Sequence, residues 1–136
     1  MARGYWLVKQ EPTKYAFADL VRDRRTMWEG VRNFQARNNL AAMRRGDPVL
    51  FYRSVDDPAV VGVCEVVREA YPDPTADDPR WVAVDLRAVR ALATPVVLAR
   101  IKADPSLGEI PLLRQSRLSV MPLARAAFER LVALGG

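Results

Sequence analysis

Val49–Val67 reads VLFYRSVDDPAVVGVCEVV, and this stretch requires a sheet. Val49–Arg53 has the aliphatic and aromatic make-up of a strand on a pleated, half-buried surface. Asp56-Asp57-Pro58 is a turn. Val60–Val67 is a long strand, in which Gly62 marks a bulge or a close backbone approach. Working back toward the N-terminus, Asp47-Pro48 opens the first of these strands. Before it lies a helical pattern from Phe34, with Ala36, Leu40 and Met43 on one face. Asn33 is its N-cap and Gly46 its C′ residue, while Gln35, Asn38 and Asn39 fall on another face.

Further out, Tyr5–Lys9 (YWLVK) is a first strand, ended by Gln10-Glu11-Pro12. Tyr15–Arg22 places Phe17, Leu20 and Val21 at helical spacing. Arg22–Arg25 reads as a charged turn and Trp28-Glu29-Gly30 as an exposed one, with Gly30 free to take a positive φ. Toward the C-terminus, Trp81–Arg90 alternates apolar and polar, Pro95–Leu98 is a short strand, and Leu98–Ala103 is a helical turn. Pro111–Arg114 and Arg117–Met121 read as extended pieces. Pro122 starts a last helix striped by Leu123, Ala127, Leu131 and Leu134. Five to six short strands with helices between and after them make an α+β domain on a small, curved or closed sheet. Residues 1–136 are expected to form one such domain.

The composition narrows the function. Histidine is absent, which removes Ser-His-Asp and Cys-His nucleophile systems and the usual zinc, iron and copper ligand sets. A single cysteine, Cys64, excludes an internal disulfide and fits a reducing compartment. No leader pattern and no apolar run of membrane-spanning length is present, so a cytoplasmic protein without membrane contact is expected. Residues 1–55 hold eleven Lys or Arg against five Asp or Glu, a balance of +6, while residues 56–136 hold ten against eleven. The excess positive charge thus lies in the N-terminal half, which suits a polyanion. Asp73, Asp77 and Asp78 form an acidic, turn-rich loop, read as solvated. No phosphate loop, dinucleotide fingerprint or metal-spaced carboxylate cluster occurs, so neither a metal nor a cofactor is expected.

Trp28–Leu40 (WEGVRNFQARNNL) is the block richest in binding chemistry. Trp28 and Phe34 offer π-faces, Asn33 and Gln35 offer paired donor and acceptor, and Arg32 and Arg37 offer planar cations. A base stacked on Trp28 is the leading reading for that residue, with a helix cap the equal alternative for Asn33. Lys9, Gln10 and Glu11 end the first strand, and Tyr52, Arg53 and Ser54 end the VLFYRS strand. Gln115-Ser116-Arg117-Leu118-Ser119 is a second compact polar run. A hydrolase would need two carboxylates in the cleft, and only Glu11 and Glu29 lie near. A protein-interaction module would show exposed apolar surface instead.

The ordered series YWLVKQEP, WEGVRNFQARNNL, RRGDPVLFYRS, VVGVCEVVREAYPD, RWVAVDL, PVVLARIK and RQSRLSVMP resembles the EVE-domain proteins from Tyr5 to about Leu134. The resemblance implies a PUA-like fold, a small mixed β-barrel of about five to six strands flanked by helices, related to the YTH domains. It implies a non-catalytic module that takes a modified base, such as methylated or hydroxymethylated cytosine in DNA, out of the stack into an aromatic and polar cleft. A modified RNA is the alternative ligand. By the same resemblance Trp28 is the aromatic wall with Asn33 and Gln35 beside it. Lys9, Gln10 and Glu11 line the opposite wall, Tyr52, Arg53 and Ser54 follow, and Ser116, Arg117 and Ser119 close the cleft. Arg22, Arg24, Arg25, Arg32, Arg37, Arg44 and Arg45 are expected to track phosphates. Many members carry Ser at the position of Gln10 and His at that of Arg53, and the Pro72–Arg80 loop is shorter than in many relatives.

Overall fold

The structure, a computed structural model, describes residues 4–136. In chain order the elements are β1 (Trp6–Gln10), α1 (Phe17–Asp23), β2 (Arg25–Trp28), α2 (Phe34–Ala42), β3 (Pro48–Arg53) and β4 (Ala59–Pro72). Then follow β5 (Val82–Val97), α3 (Leu98–Ala103), a 3-10 turn (Pro105–Leu107), α4 (Pro111–Arg114), β6 (Val120–Pro122) and α5 (Arg125–Gly135). The strands form a six-stranded mixed sheet in the order β2-β5-β4-β3-β1-β6. Among the described residues only β1 and β3 are parallel neighbours. Parallel neighbours need a crossover connection, and here it carries α1, β2 and α2. The fold is α+β, as the order of the sequence patterns indicates.

Several boundaries differ from the sequence reading. The charged turn Arg22–Arg25 is split: Arg22 and Asp23 end α1, Arg24 takes φ 70° after it, and Arg25 opens the short edge strand β2. Four residues pairing only with β5 give too little periodicity to be read from sequence. β4 and β5 run 14 and 16 residues, and Pro95–Val97 is the end of β5. Their shared register shifts repeatedly, and such bulges bend a long strand pair. Pro111–Arg114 is one turn of helix with Pro111 at its start, and the C-terminal helix begins at Arg125, after Pro122 has ended β6. Gly46 has the expected positive φ of 93°, but α2 ends earlier, with Met43 as its C-cap.

Gly62 shows both expected features. Val60 pairs with Tyr52 and Gly62 with Phe51, leaving Val61 as the extra residue of a bulge. The Phe17 ring of α1 lies where a Gly62 Cβ would be. Phe17 meets Phe51 edge-on at 5.4 Å between centroids, and Phe51 meets Trp28 at 5.6 Å and 87°. These three buried rings join α1, β2 and β3 in one core. Edge-to-face packing suits the ring quadrupoles.

Two buried carboxylates tie loops to this core. Asp47 accepts from Trp6 Nε1 at 2.9 Å, the Arg44 N–H at 2.9 Å and the Gly4 N–H at 3.2 Å. Asp73 was expected to be solvated. Its side chain is instead fully buried, accepting from the Gly30 N–H at 2.8 Å, the Thr75 N–H at 2.7 Å, the Thr75 hydroxyl at 2.6 Å and Arg32 Nη1 at 3.0 Å. The Asp73 clamp therefore fastens the β4–β5 loop to the β2–α2 loop. Helix α2 packs against β4, β5 and β6. Asn39 Nδ2 donates to the Val120 carbonyl at 2.7 Å, satisfying an acceptor of edge strand β6. That bond commits Asn39, which the helical pattern groups with Gln35 and Asn38, to the fold.

Two outcomes test this account. Burial alone would raise the Asp73 pKa, but the Thr75, Gly30 and Arg32 donors together hold it down at about 2. A depressed carboxylate stabilises the fold above its unfolded value of 3.8, and that stability is lost as pH falls through about 2. Denaturant titrations between pH 2 and 5 should therefore show an acid-sensitive component of about 2 kcal/mol that Asp73→Asn removes. Gly62→Ala should destabilise by about 1–3 kcal/mol in thermal unfolding, because the methyl and the Phe17 ring compete for one space.

Candidate nucleic-acid interface

The two-residue alternation of paired strands decides which candidates share a face. β1 and β3 run parallel with Lys9 opposite Tyr52 and Gln10 opposite Arg53. Successive side chains point to opposite faces. Lys9, Tyr52 and Ser54 consequently line one cavity of about 430 Å³, together with Ser116, Arg117, Leu112 and Lys102. Gln10 and Arg53 line a different, mostly apolar cavity of about 540 Å³, walled by Phe17, Val21, Phe51 and Leu92. The expected continuous wall from Lys9 to Glu11 is thus divided. Glu11 lies in the turn after β1, where its carbonyl accepts from Lys14 and Tyr15 and its carboxylate is 3.8 Å from Lys14 Nζ.

Helix α2 supplies the second part of the cleft. Asn33 Oδ1 accepts from the Ala36 N–H at 2.9 Å, so the residue is the N-cap. Asn33 also lines a cavity of about 300 Å³ with Gln35, Arg114, Gln115, Ser116 and Arg117. Asn33 thus caps the helix with its oxygen and borders this cavity. Ser116 and Arg117 line both this cavity and the Lys9–Tyr52 one. These two residues of the 115–119 turn border both spaces, one at the ends of β1 and β3 with Leu98, Leu112 and Leu113 in its wall, the other at the start of α2, and the pair of spaces is the cleft.

Lys9 holds that turn in place. Its backbone N–H donates to the Ser119 carbonyl at 2.9 Å, and its ammonium donates to the Ser116 carbonyl at 2.7 Å. Ser119 contributes through this backbone bond. Desolvation lowers the Lys9 pKa and raises that of Tyr52. Tyr52 therefore stays a neutral phenol at neutral pH, able to donate or accept within the cleft.

Trp28 is placed differently from the expectation. It closes β2 opposite Val84, is 5% exposed, and packs edge-on against Phe51. It is a core ring, because pairing of β2 with β5 turns it inward, and not an exposed stacking wall. The exposed aromatic of the block is Phe34, 52% exposed and stacked on Trp81 at 4.9 Å and 28°. The sequence pattern places Trp81 only at the start of a strand. Its position beside Pro79 and Arg80, ahead of the alternation that starts at Val82, was the available signal.

The arginines do not form one track. Arg22 pairs with Asp19 and Asp23, and Arg25 reaches Asp85 at 2.8 Å. Asp85 also accepts from the Tyr71 hydroxyl. Arg32 is held by Asp73, and Arg53 bonds the Asp57 carbonyl at 2.9 Å. Arg24 follows α1, while Arg44 and Arg45 follow the far end of α2 from Asn33. Arg37 lies near the cleft, bonding Asn38 Oδ1 and the Arg80 carbonyl. Arg114, Arg117 and Lys102 line the cleft itself, and of these only Arg117 stood out in the sequence.

The comparisons with known proteins agree with this architecture. Residues 4–134 match the EVE domain family. Thymocyte nuclear protein 1 of Homo sapiens is 32% identical over 96% of this chain and 73% of its own length, and that of Gallus gallus is 35% identical over 96% and 68%. A protein of Agrobacterium tumefaciens superposes with a TM-score of 0.95 at 40% identity, covering 98% of this chain and 93% of its own. Human THYN1 protein, solved in complex with 5-methylcytosine-containing DNA, superposes with a TM-score of 0.90 at 32% identity over 97% of both chains. A YTH domain of Zygosaccharomyces rouxii shares the fold, with a TM-score of 0.59 at 15% identity. From the ordered motifs, the sheet and these matches over nearly its whole length, the chain belongs to the EVE domain family.

Proposed function

We propose that this protein is a non-catalytic reader of modified bases in nucleic acid, with 5-methylcytosine in DNA as the ligand class. The observation that carries the reading is the human THYN1 structure with 5-methylcytosine-containing DNA, a relative that superposes over nearly the whole chain. The cleft of Lys9, Tyr52, Ser54, Asn33, Gln35, Ser116 and Arg117 supports it. Amide, hydroxyl and guanidinium groups meet there at the scale of a single base. A nucleotide turned out of its stack enters this cleft. Extrusion costs a few kcal/mol, least for an unpaired base. Hydrogen bonds to the base edge offset that cost. An added methyl contributes at most about 1–3 kcal/mol of preference.

Arg117, Arg37 and Lys102 serve as the nearby phosphate contacts in this reading, Arg114 being paired with Glu109 at 2.6 Å, and Arg44 and Arg45 as more distant ones. Arg22, Arg25 and Arg32 are already committed to carboxylates and serve the fold. The same reading takes the sheet and α2 together as a barrel-like enclosure, and the packing of α2 against β6, β4 and β5 supports it. The absence of histidine in the chain supports a binding role over acid–base catalysis. Cys64 is fully buried and its thiol pKa is pushed up by burial, which fits an inert core residue in a reducing cytoplasm.

The test is fluorescence anisotropy with a panel of DNA and RNA oligomers, with and without 5-methylcytosine, at two salt concentrations. The expected result is tighter binding of the methylated DNA, by about tenfold. Arg117→Ala should weaken all oligomers and flatten the salt dependence. Gln35→Ala should mainly narrow the gap between methylated and unmodified strands. Equal affinity across the panel would sink the modified-base reading, and preference for RNA would reassign the ligand.

A further inference from the structure

We propose that Phe34 and Trp81, with Arg37 and Arg80, form a second nucleic-acid contact: a fixed platform that stacks the base next to the extruded one. The inference rests on the reading above and extends it beyond the cleft. Phe34 is the only aromatic among the strongly exposed large apolar side chains of the described residues. Its ring is already stacked on Trp81, and the Arg37 and Arg80 guanidinium carbons lie 5.4 and 5.8 Å from its centroid. Arg32 sits 5.9 Å from the Trp81 ring. Aromatic faces interleaved with guanidinium planes are the chemistry that holds single bases and their phosphates.

The charges point the same way. Arg32 is matched by Asp73 and Arg80 by Asp78. The hydrogen-bond partners of Arg37 are neutral, the Asn38 side-chain oxygen and the Arg80 carbonyl, and its charge is met only at longer range by Asp78. The platform is also rigid. The Asp73 clamp fixes one end of the Trp81 loop, and the Arg37 bond to Arg80 fixes the other end to α2. Stacking there therefore loses little side-chain freedom.

Position completes the argument. Phe34 is the first residue of α2 and lies in sequence between Asn33 and Gln35, which line the cleft. In this proposal the nucleotide next to one held in the cleft passes over the start of α2, where the Phe34 ring is exposed.

The experiment is the same anisotropy panel with Phe34→Ala, Phe34→Trp and Trp81→Ala, each checked for folding by thermal unfolding. Because Phe34 is half exposed, Phe34→Ala should remain folded. It should lose about tenfold in affinity for methylated and unmodified strands alike, leaving their ratio unchanged, while Phe34→Trp restores binding. Wild-type indole fluorescence should be quenched on binding a single-stranded oligomer, and the quench should be lost in Trp81→Ala. Affinity in Phe34→Ala within twofold of wild type, with methyl preference intact, would overturn the platform and leave the reader function standing. A tenfold loss in a protein without methyl preference would keep the platform and overturn the modified-base reading. If the wild-type protein binds no oligomer, both fall.

Discussion

The buried Asp47 carboxylate fixes the meeting of β1, β3 and the turn after α2, and the cleft depends on that meeting. Asp47 receives the Trp6 indole from β1 and the Arg44 N–H from the turn, and its own carbonyl accepts from Val66 of β4. A carboxylate out of water is tolerated only when its lone pairs are filled, so these donors are held in one arrangement. The parallel register of β1 on β3 follows, with Lys9 beside Tyr52. A slip of one residue would exchange Lys9 for Gln10 at the cleft and turn each side chain of β1 to the opposite face.

The Asp73 clamp does the comparable work on the other side of α2. It gathers the β2–α2 loop, the Thr75 turn and Arg32 around one carboxylate. The chain between β4 and β5 is thereby held against the start of α2, where Asn33 caps the helix and Gln35 borders the cleft. Pre-organisation of this kind reduces what binding must spend on ordering loops. The central strands, the helix cap and the loop beside it then present polar and aromatic groups on a fixed frame.

Much of the fold was legible in the residues. The strand pair around Asp56-Asp57-Pro58, the cap at Asn33, the buried stripe Ala36–Leu40–Met43, the special role of Gly62 and the C-terminal stripe at Ala127 and Leu131 all stand in the structure, while Leu123 is buried ahead of the helix and Leu134 is half-buried. Local periodicity and steric rules suffice for them. What was missed depends on partners far away in sequence. Arg25–Trp28 is a strand because β5 accepts it, and four residues carry no decisive pattern of their own. Asp73 looked solvated because nothing nearby in sequence announces Gly30 and Arg32 as its donors. Arg22 and Arg25 looked available because Asp23 and Asp85 become their partners only in the folded chain.

The same division runs through the site. The sequence by itself determined the chemistry: no histidine, a positive N-terminal half, and a compact set of amide, aromatic and guanidinium groups between Trp28 and Leu40. It also carried the ordered motifs of the EVE domain family, because motif order is a property of the chain. Tertiary structure alone decided which of those groups meet. Pleat alternation on β1 and β3 sent Lys9 and Tyr52 to one cavity and Gln10 and Arg53 to another. Pairing of β2 with β5 buried Trp28, and closure of the Asp73 loop brought Trp81 onto Phe34. Each outcome rests on a contact between residues distant in the chain, and local pattern does not encode such contacts.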